Sequence, residues 1–333
     1  MKFCIVGLGA IGGLFAARLA QAGHDVSALA RGATLDAVRR GGLTLVEGEA
    51  GQERRATLPI RVADDARELG PQDVVVIAVK TTGLASIAGQ VAPLLGPDTT
   101  ILSAMNGVPW WFFHGREAQG GAIRLSSLDP DGGIAAALAP ERVVGIVTHL
   151  SATTPAPGTV RRMAGNRLII GEPAGGAATP RAAAIAQALR DGGFDLEESD
   201  SIQRDIWFKL WGNMTVNPIS ALTGATGDRI LDDEHVRNFM SRCMVEAASI
   251  GQRIGLPIEG EPEQRHAVTR KLGAFRTSML QDVEAGRPVE LDALVAAVIE
   301  IGRQVGVPTP NIDALFGLAR LQARVRGLYP QPG

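Results

Sequence analysis

Cys4-Ile5-Val6-Gly7-Leu8-Gly9-Ala10-Ile11-Gly12-Gly13 leads from an apolar strand at residues 3–6 into a helix-like stretch at 14–22. Its order of strand, Gly-x-Gly-x-x-Gly and helix is that of a dinucleotide-binding turn. Gly7 permits the tight exit from the strand. Gly9 lets backbone approach a pyrophosphate. Gly12 allows close helix–strand packing, with the phosphates on the helix N-terminus.

Outward from this turn, strand and helix alternate. A second strand is expected at 26–30, a helix at 33–40 and short strands at 43–46 and 60–62. Val74-Val75-Val76-Ile77-Ala78-Val79 reads as a strand buried on both faces. Further strands are expected at 99–103, 142–147 and 168–170. Beyond about residue 180 the periodicity turns helical, at 181–190, 202–216, 234–254, 263–285 and 291–305. The fold class is therefore α/β, with a Rossmann-type doubly wound sheet at residues 1–195 and an all-helical domain at 196–330.

Composition narrows the function. The chain has 333 residues, 45% apolar and 20% charged, with a net charge of −2. No bulk charge favours nucleic acid or a membrane surface. No apolar run is long enough to span a bilayer, and no targeting segment precedes the first strand, so a cytoplasmic protein is expected. Cys4 and Cys243 lie in apolar surroundings with no motif, as core residues of a reducing compartment. His24, His114, His149, His235 and His266 show no ligand spacing, so no metal is expected.

The second strand ends Ala28-Leu29-Ala30-Arg31. The carboxylate that would bind both ribose hydroxyls of NAD is missing. Arg31 can instead clamp a 2′-phosphate, which points to NADP(H). Lys80, after the buried strand, stands where strand ends face the ligand crevice of an open sheet. Asn106-Gly107 follows another strand on the same edge.

A polar stripe carries the chemistry. Lys209, Asn213 and Asn217 are four residues apart, so they share one helix face and drift by about 40° per step. Trp207, Phe208, Leu210, Trp211, Met214 and Val216 surround them. Buried asparagines need partners, which a ligand would supply. Pro218 follows Asn217, so the helix is expected to kink or end there. Ser278-Met279-Leu280-Gln281-Asp282 and Glu290, early in the next helix, form the last block; alone, it reads as a cap and a helix start.

Together these residues resemble the ketopantoate reductase (2-dehydropantoate 2-reductase) family over nearly the whole chain. The likeness runs from Gly7–Gly12 through Arg31, Lys80 and Asn106-Gly107 to the Lys-x-x-x-Asn-x-x-x-Asn-Pro run at 209–218 and the Ser278/Glu290 block. It implies NADPH-dependent reduction of ketopantoate to pantoate, a step towards coenzyme A. It also implies Lys209 as general acid, with Asn106, Asn213, Asn217 and Ser278 binding substrate. Gly7, Leu8, Gly9, Ala10, Ile11, Gly12, Arg31, Lys80, Asn106, Ser151 and Glu290 would contact the cofactor.

Met105 stands where the family usually has Gln, and Gly227 where it has a substrate-side Asn. The cluster Trp110-Trp111-Phe112-Phe113 is expected beside the site and could stack a larger acyl chain. A different 2-oxo acid is thus the alternative substrate. The 3-hydroxyisobutyrate and 6-phosphogluconate dehydrogenases share the general plan but not the Ser278/Glu290 block. An NADP-sensing protein without activity would have no need of Lys209. A homodimer is compatible with the apolar surface of the helical domain.

Overall fold

The computed structural model describes residues 1–49, 51–116 and 123–331. The chain forms two compact units, Met1–Met105 with Gly132–Ile202, and Asn106–Asp131 with Gln203–Gly333. Periodicity alone predicts a single crossing, at 195/196. The folded chain instead lends Asn106–Asp131 to the helical unit.

The first unit runs β1 (Lys2–Val6), α1 (Ala10–Gln21), β2 (Asp25–Leu29), α2 (Gly32–Gly41), β3 (Leu43–Glu47), β4 (Arg54–Leu58), β5 (Arg61–Ala63), β6 (Gln72–Ile77), α3 (Thr81–Ala88), β7 (Leu95–Ser103), α4 (Gly133–Ala137), β8 (Val143–Ala156), β9 (Thr159–Gly171), α5 (Pro180–Asp191) and β10 (Asp195–Glu198). The strands form one sheet in the order β4-β3-β9-β8-β7-β6-β1-β2-β5, with β10 also on β9. Pairing is parallel except for β3/β4 and β8/β9. In β1 and β6 the apolar runs Phe3–Val6 and Val74–Ile77 are buried throughout, as unbroken β-branched and aromatic runs in a central parallel sheet require.

Strands β4 and β10 had no counterpart in the sequence reading. Strands β8 and β9 are much longer than their apolar halves. Their outer parts pair with each other through bulges, which erase the alternation a sequence reading needs.

The second unit holds α6 (Ile202–Thr223), α7 (Gly227–Asp232), α8 (Glu234–Arg253), α9 (Pro262–Arg270), α10 (Ser278–Glu284), α11 (Ala297–Gln304) and α12 (Pro310–Val325), with a π-helical turn at Asp292–Ala296 before α11. Helix α6 continues through Pro218 to Thr223, so it does not end at the proline. Buried Met214, Val216, Ile219 and Ser220 pack it on both sides of the proline, so tertiary burial overrides the one missing N–H.

The single helix expected at 263–285 is two helices. Gly273 takes φ 66° beyond the end of α9, and Thr277 caps α10 by accepting from the Leu280 amide at 3.1 Å. Asn106–Asp131 is fastened inside this unit. The Val108 amide donates to the Ala293 carbonyl at 2.8 Å, and Glu300 accepts from the Ser126 and Ser127 amides.

Candidate active site

In the first unit the site is made of backbone. Gly7 takes φ 98°, in the left-handed region, at the exit of β1. A Cβ on Gly12 would lie 2.0 Å from the Gly7 carbonyl oxygen and 2.9 Å from Ala78 Cβ. Gly9 is the opposite case, because a Cβ there would meet nothing within 4 Å. Gly9 is exposed and is the N-cap of α1, with no side-chain cap and no acid in the first turn. The entry of α1 is therefore an uncapped glycine with open space at its Cβ position, an arrangement that fits a pyrophosphate. Leu8 is buried, while Ala10 and Ile11 are partly exposed around the turn.

Arg31 is the exposed N-cap of α2, and among the described residues its guanidinium has no hydrogen bond or ion pair. Lys80, partly buried, is the N-cap of α3 just beyond β6. Ser151 is exposed on β8, and its hydroxyl donates across to the Ala164 carbonyl at 3.5 Å.

In the second unit the site is made of side chains. Lys209, Asn213 and Asn217 line one face of α6. Around them Trp207, Leu210, Trp211, Met214 and Val216 are buried, and the Trp211 indole N–H donates to the Met244 carbonyl of α8 at 2.7 Å. Phe208, expected among the apolar flanks, is 45% exposed. Lys209 Nζ donates to Asn106 Oδ1 at 2.8 Å. By the sequence boundary at 195/196 these two residues fall in different domains. Burial strips water from the ammonium and pulls its pKa down to about 8, against the opposing pull of Glu290.

Asn217 is 6% exposed, and Asn213 is partly buried. Among the described residues neither side chain has a hydrogen-bond partner. Ser278 is exposed in the first turn of α10. An ammonium donor with its pKa lowered to about 8, beside two amides with open hydrogen-bonding capacity, can protonate a developing alkoxide and hold a polar substrate.

The aromatic cluster does not serve as expected. Trp111 and Phe112 are 1% and 0% exposed, and the Phe112 ring packs on Phe113 at 5.1 Å and on Trp207 at 6.0 Å. They are core, leaving only Trp110 and Phe113 partly exposed. At Gly227 a Cβ would lie 2.0 Å from Phe275 Cε1, so that ring takes the place of any side chain there.

Two residues without a sequence-based role pair close to Glu290 in the chain. The Tyr329 hydroxyl donates to Asp292 Oδ1, two residues past Glu290. Thirty-seven positions separate this pair, and no local pattern links them. Burial pushes the Cys4 and Cys243 thiols up to about 11 and 12, which leaves them poor nucleophiles. No group of three or more His, Cys, Asp or Glu able to hold a metal occurs among the described residues, and none of their helices is long and apolar enough to cross a membrane.

A glycine-turn dinucleotide unit joined to a helical unit with a dehydrated lysine defines a nicotinamide-dependent oxidoreductase. The chain belongs to the ketopantoate reductase family: residues 3–175 match the family model "Ketopantoate reductase PanE/ApbA", and residues 201–323 match "Ketopantoate reductase PanE/ApbA C terminal". It is 44% identical over 330 residues to a 2-dehydropantoate 2-reductase of Mesorhizobium japonicum, covering 99% of this chain and 100% of the relative. A crystal structure from Ralstonia solanacearum MolK2, provisionally named a ketopantoate reductase, superposes with a TM-score of 0.92 at 56% identity, over 98% of this chain and 99% of the other. A D-mandelate dehydrogenase solved with NADH and anilino(oxo)acetate shares the fold at 19% identity, with a TM-score of 0.82 over 98% of this chain and 100% of the other.

Proposed function

We propose that this protein uses NADPH to reduce ketopantoate to pantoate in the cytoplasm, with Lys209 as the proton donor. The observation that carries this reading is the Lys209 ammonium, held 2.8 Å from Asn106 Oδ1 with its pKa lowered to about 8. A buried cation costs stability, and a lysine without chemical duty would be expected to reach solvent. That is also the argument against a purely sensing role.

When bound, NADPH would supply the hydride for the 2-oxo carbon. Lys209 donates a hydrogen bond to the ketone oxygen and passes it a proton as negative charge develops there. Asn106 orients the ammonium. Asn213, Asn217 and Ser278 hold the substrate's carboxylate and hydroxyl, and so fix the carbonyl at Lys209. Gly7, Leu8, Gly9, Ala10, Ile11 and Gly12 cradle the pyrophosphate. Arg31, exposed and without a partner among the described residues, would take the 2′-phosphate, which favours NADPH over a bare ribose hydroxyl. Lys80 and Ser151 in the first unit, and Asn106 and Glu290 in the second, would also contact the cofactor.

A second reading keeps the mechanism and changes the acid. The Phe275 ring seated on Gly227 puts an apolar surface where the family resemblance implies an amide. That favours a 2-oxo acid with a larger, less hydroxylated side chain. We further propose a homodimer formed through the exposed Leu318, Leu321 and Val325 on α12.

Initial rates of NADPH and NADH oxidation with ketopantoate and a panel of other 2-oxo acids test the proposal, on wild type and Lys209→Ala. Ketopantoate and NADPH preferred, with turnover lost in the variant, is the expected result. Preference for a bulkier acid would replace the substrate and keep the mechanism. Full activity without Lys209 would remove the proposed donor. Light scattering of wild type and Leu321→Glu tests the dimer, which the variant is expected to dissociate.

A further inference from the structure

The C-terminal tail is fastened to the helical unit at two points that bracket Glu290. On one side the Val289 amide donates to the Leu328 carbonyl at 3.1 Å. On the other, the Tyr329 hydroxyl donates to Asp292 Oδ1. Tyr329 is the chain's only tyrosine, and both partners are partly buried.

The tail is itself held by α12. Leu328 N donates to the Ala323 carbonyl at 2.8 Å, Arg324 Nε donates to the Pro330 carbonyl at 2.8 Å, and the Arg324 guanidinium lies 5.6 Å from the Tyr329 ring centroid. The tail is therefore a fixed support.

From Asp292 the connection continues to the reaction centre. Asp292 opens the π-helical turn, and the next carbonyl, Ala293, accepts from the Val108 amide at 2.8 Å. Gly107 lies so close that a Cβ on it would be 2.5 Å from that same oxygen. Asn106, the adjoining residue, accepts from Lys209 Nζ at 2.8 Å. Glu290 acts on Lys209 through charge, favouring the ammonium. Glu290 thus lies between the tail's two attachments, and Asn106 on a loop bonded to the carbonyl next to the second of them. π-Turns recur where a helix is locally re-aimed for function.

We infer that Tyr329 and Asp292 are positioning residues: their hydrogen bond, with the Val289–Leu328 contact, sets Glu290 and the Asn106 loop in register with the Lys209 ammonium. This rests on the reading of Lys209 as proton donor. The charged groups around the clamp are Asp292 itself, with Arg320 and Arg324 acting on Tyr329 from α12. Burial raises the Asp292 carboxyl above its ordinary range, while the Tyr329 hydroxyl works the other way.

The test uses the full chain with Tyr329→Phe, Asp292→Ala and Asp292→Asn. Two quantities are read for each: the alkaline limb of kcat/KM, and the pH at which the Lys209 amine becomes reactive towards a lysine-directed acylating reagent, followed by peptide mass. The second needs no turnover. Loosening Glu290 weakens its support of the ammonium, so both midpoints should fall by about half a pH unit, with kcat reduced about threefold, in Tyr329→Phe and Asp292→Ala. Asp292→Asn still offers an oxygen to the phenol and should behave as wild type. Unchanged midpoints in Tyr329→Phe and Asp292→Ala would overturn the inference, even if both variants melted earlier. Full activity of Lys209→Ala would instead remove the donor reading on which the inference rests.

Discussion

Helices α1 and α6 both bury most of what they carry, yet they present chemistry in opposite ways. Helix α1 offers only main chain. Its entry is a bare Gly9 with no side-chain cap, and its first turn holds no acid. Helix α6 offers only side chains, Lys209, Asn213 and Asn217, set among buried aromatic and aliphatic residues. The backbone site costs the fold little, since the first amides of any helix lack intrahelical partners. The side-chain site is expensive, because an ammonium and unbonded amides lose water without full compensation. The two helices should therefore respond differently to mutation: α1 through shape, α6 through charge.

The largest effect is expected at Lys209. Replacing it with alanine should lower kcat about a thousandfold, within the range for loss of a general acid, while NADPH binding measured by fluorescence stays near wild type. In wild type kcat/KM should fall as pH rises through about 8, because the ammonium is the competent form. Stability should move the other way. A lysine whose folded pKa lies below its unfolded value costs stability below the folded pKa, and that cost is recovered as pH rises from about 8 towards 10.5. Lys209→Met should therefore unfold later in urea at pH 7, by about 3 kcal/mol, and the gain should shrink by pH 10. A variant less stable than wild type at pH 7 would remove the contrast between the two helices.

The next effect separates two glycines of one turn. In Gly12→Ala the new methyl meets the Gly7 carbonyl oxygen at 2.0 Å, so the turn must deform. A loss of about 3 kcal/mol in urea unfolding is expected, with weaker cofactor binding as a consequence. Gly9→Ala adds the same methyl to open space and should leave unfolding within about 0.5 kcal/mol of wild type. Its cost should appear only in NADPH affinity, as the methyl intrudes on the pyrophosphate path. Equal stability losses in both variants would show that Gly9 also serves packing.

The same division decides what could be read from sequence. The α1 site is local, since strand, turn and helix lie within twenty residues and each glycine acts through its own backbone. The stripe on α6 was also legible, because helical periodicity brings Lys209, Asn213 and Asn217 onto one face. What surrounds that stripe was not. Asn106 reaches Lys209 because Asn106–Asp131 packs with the helical unit, and no periodicity reports such an excursion. Trp111 and Phe112 looked like a substrate wall because position along the chain does not reveal which way a ring turns. Gly273 and Thr277 are ordinary stop and cap signals within 263–285, which apolar periodicity alone does not register. At Pro218 the alternative of a helix end was not realised, because burial on both sides of the proline carries α6 on to Thr223.

The smallest effect tests whether the α1 side of the molecule also uses charge. Arg31, at the entry to α2, is exposed and has no partner among the described residues, so removing it should leave stability within about 0.5 kcal/mol. If it clamps a 2′-phosphate, Arg31→Ala loses charge-assisted hydrogen bonds that only NADPH can make. KM for NADPH should rise about tenfold, and KM for NADH should not move. The NADPH penalty should also shrink at high salt, because an exposed guanidinium–phosphate pair is screened. An equal rise for both cofactors would assign Arg31 to the turn itself and leave the first unit's site purely main-chain. A selective rise would place one charged side chain there, at a position where it costs the fold nothing.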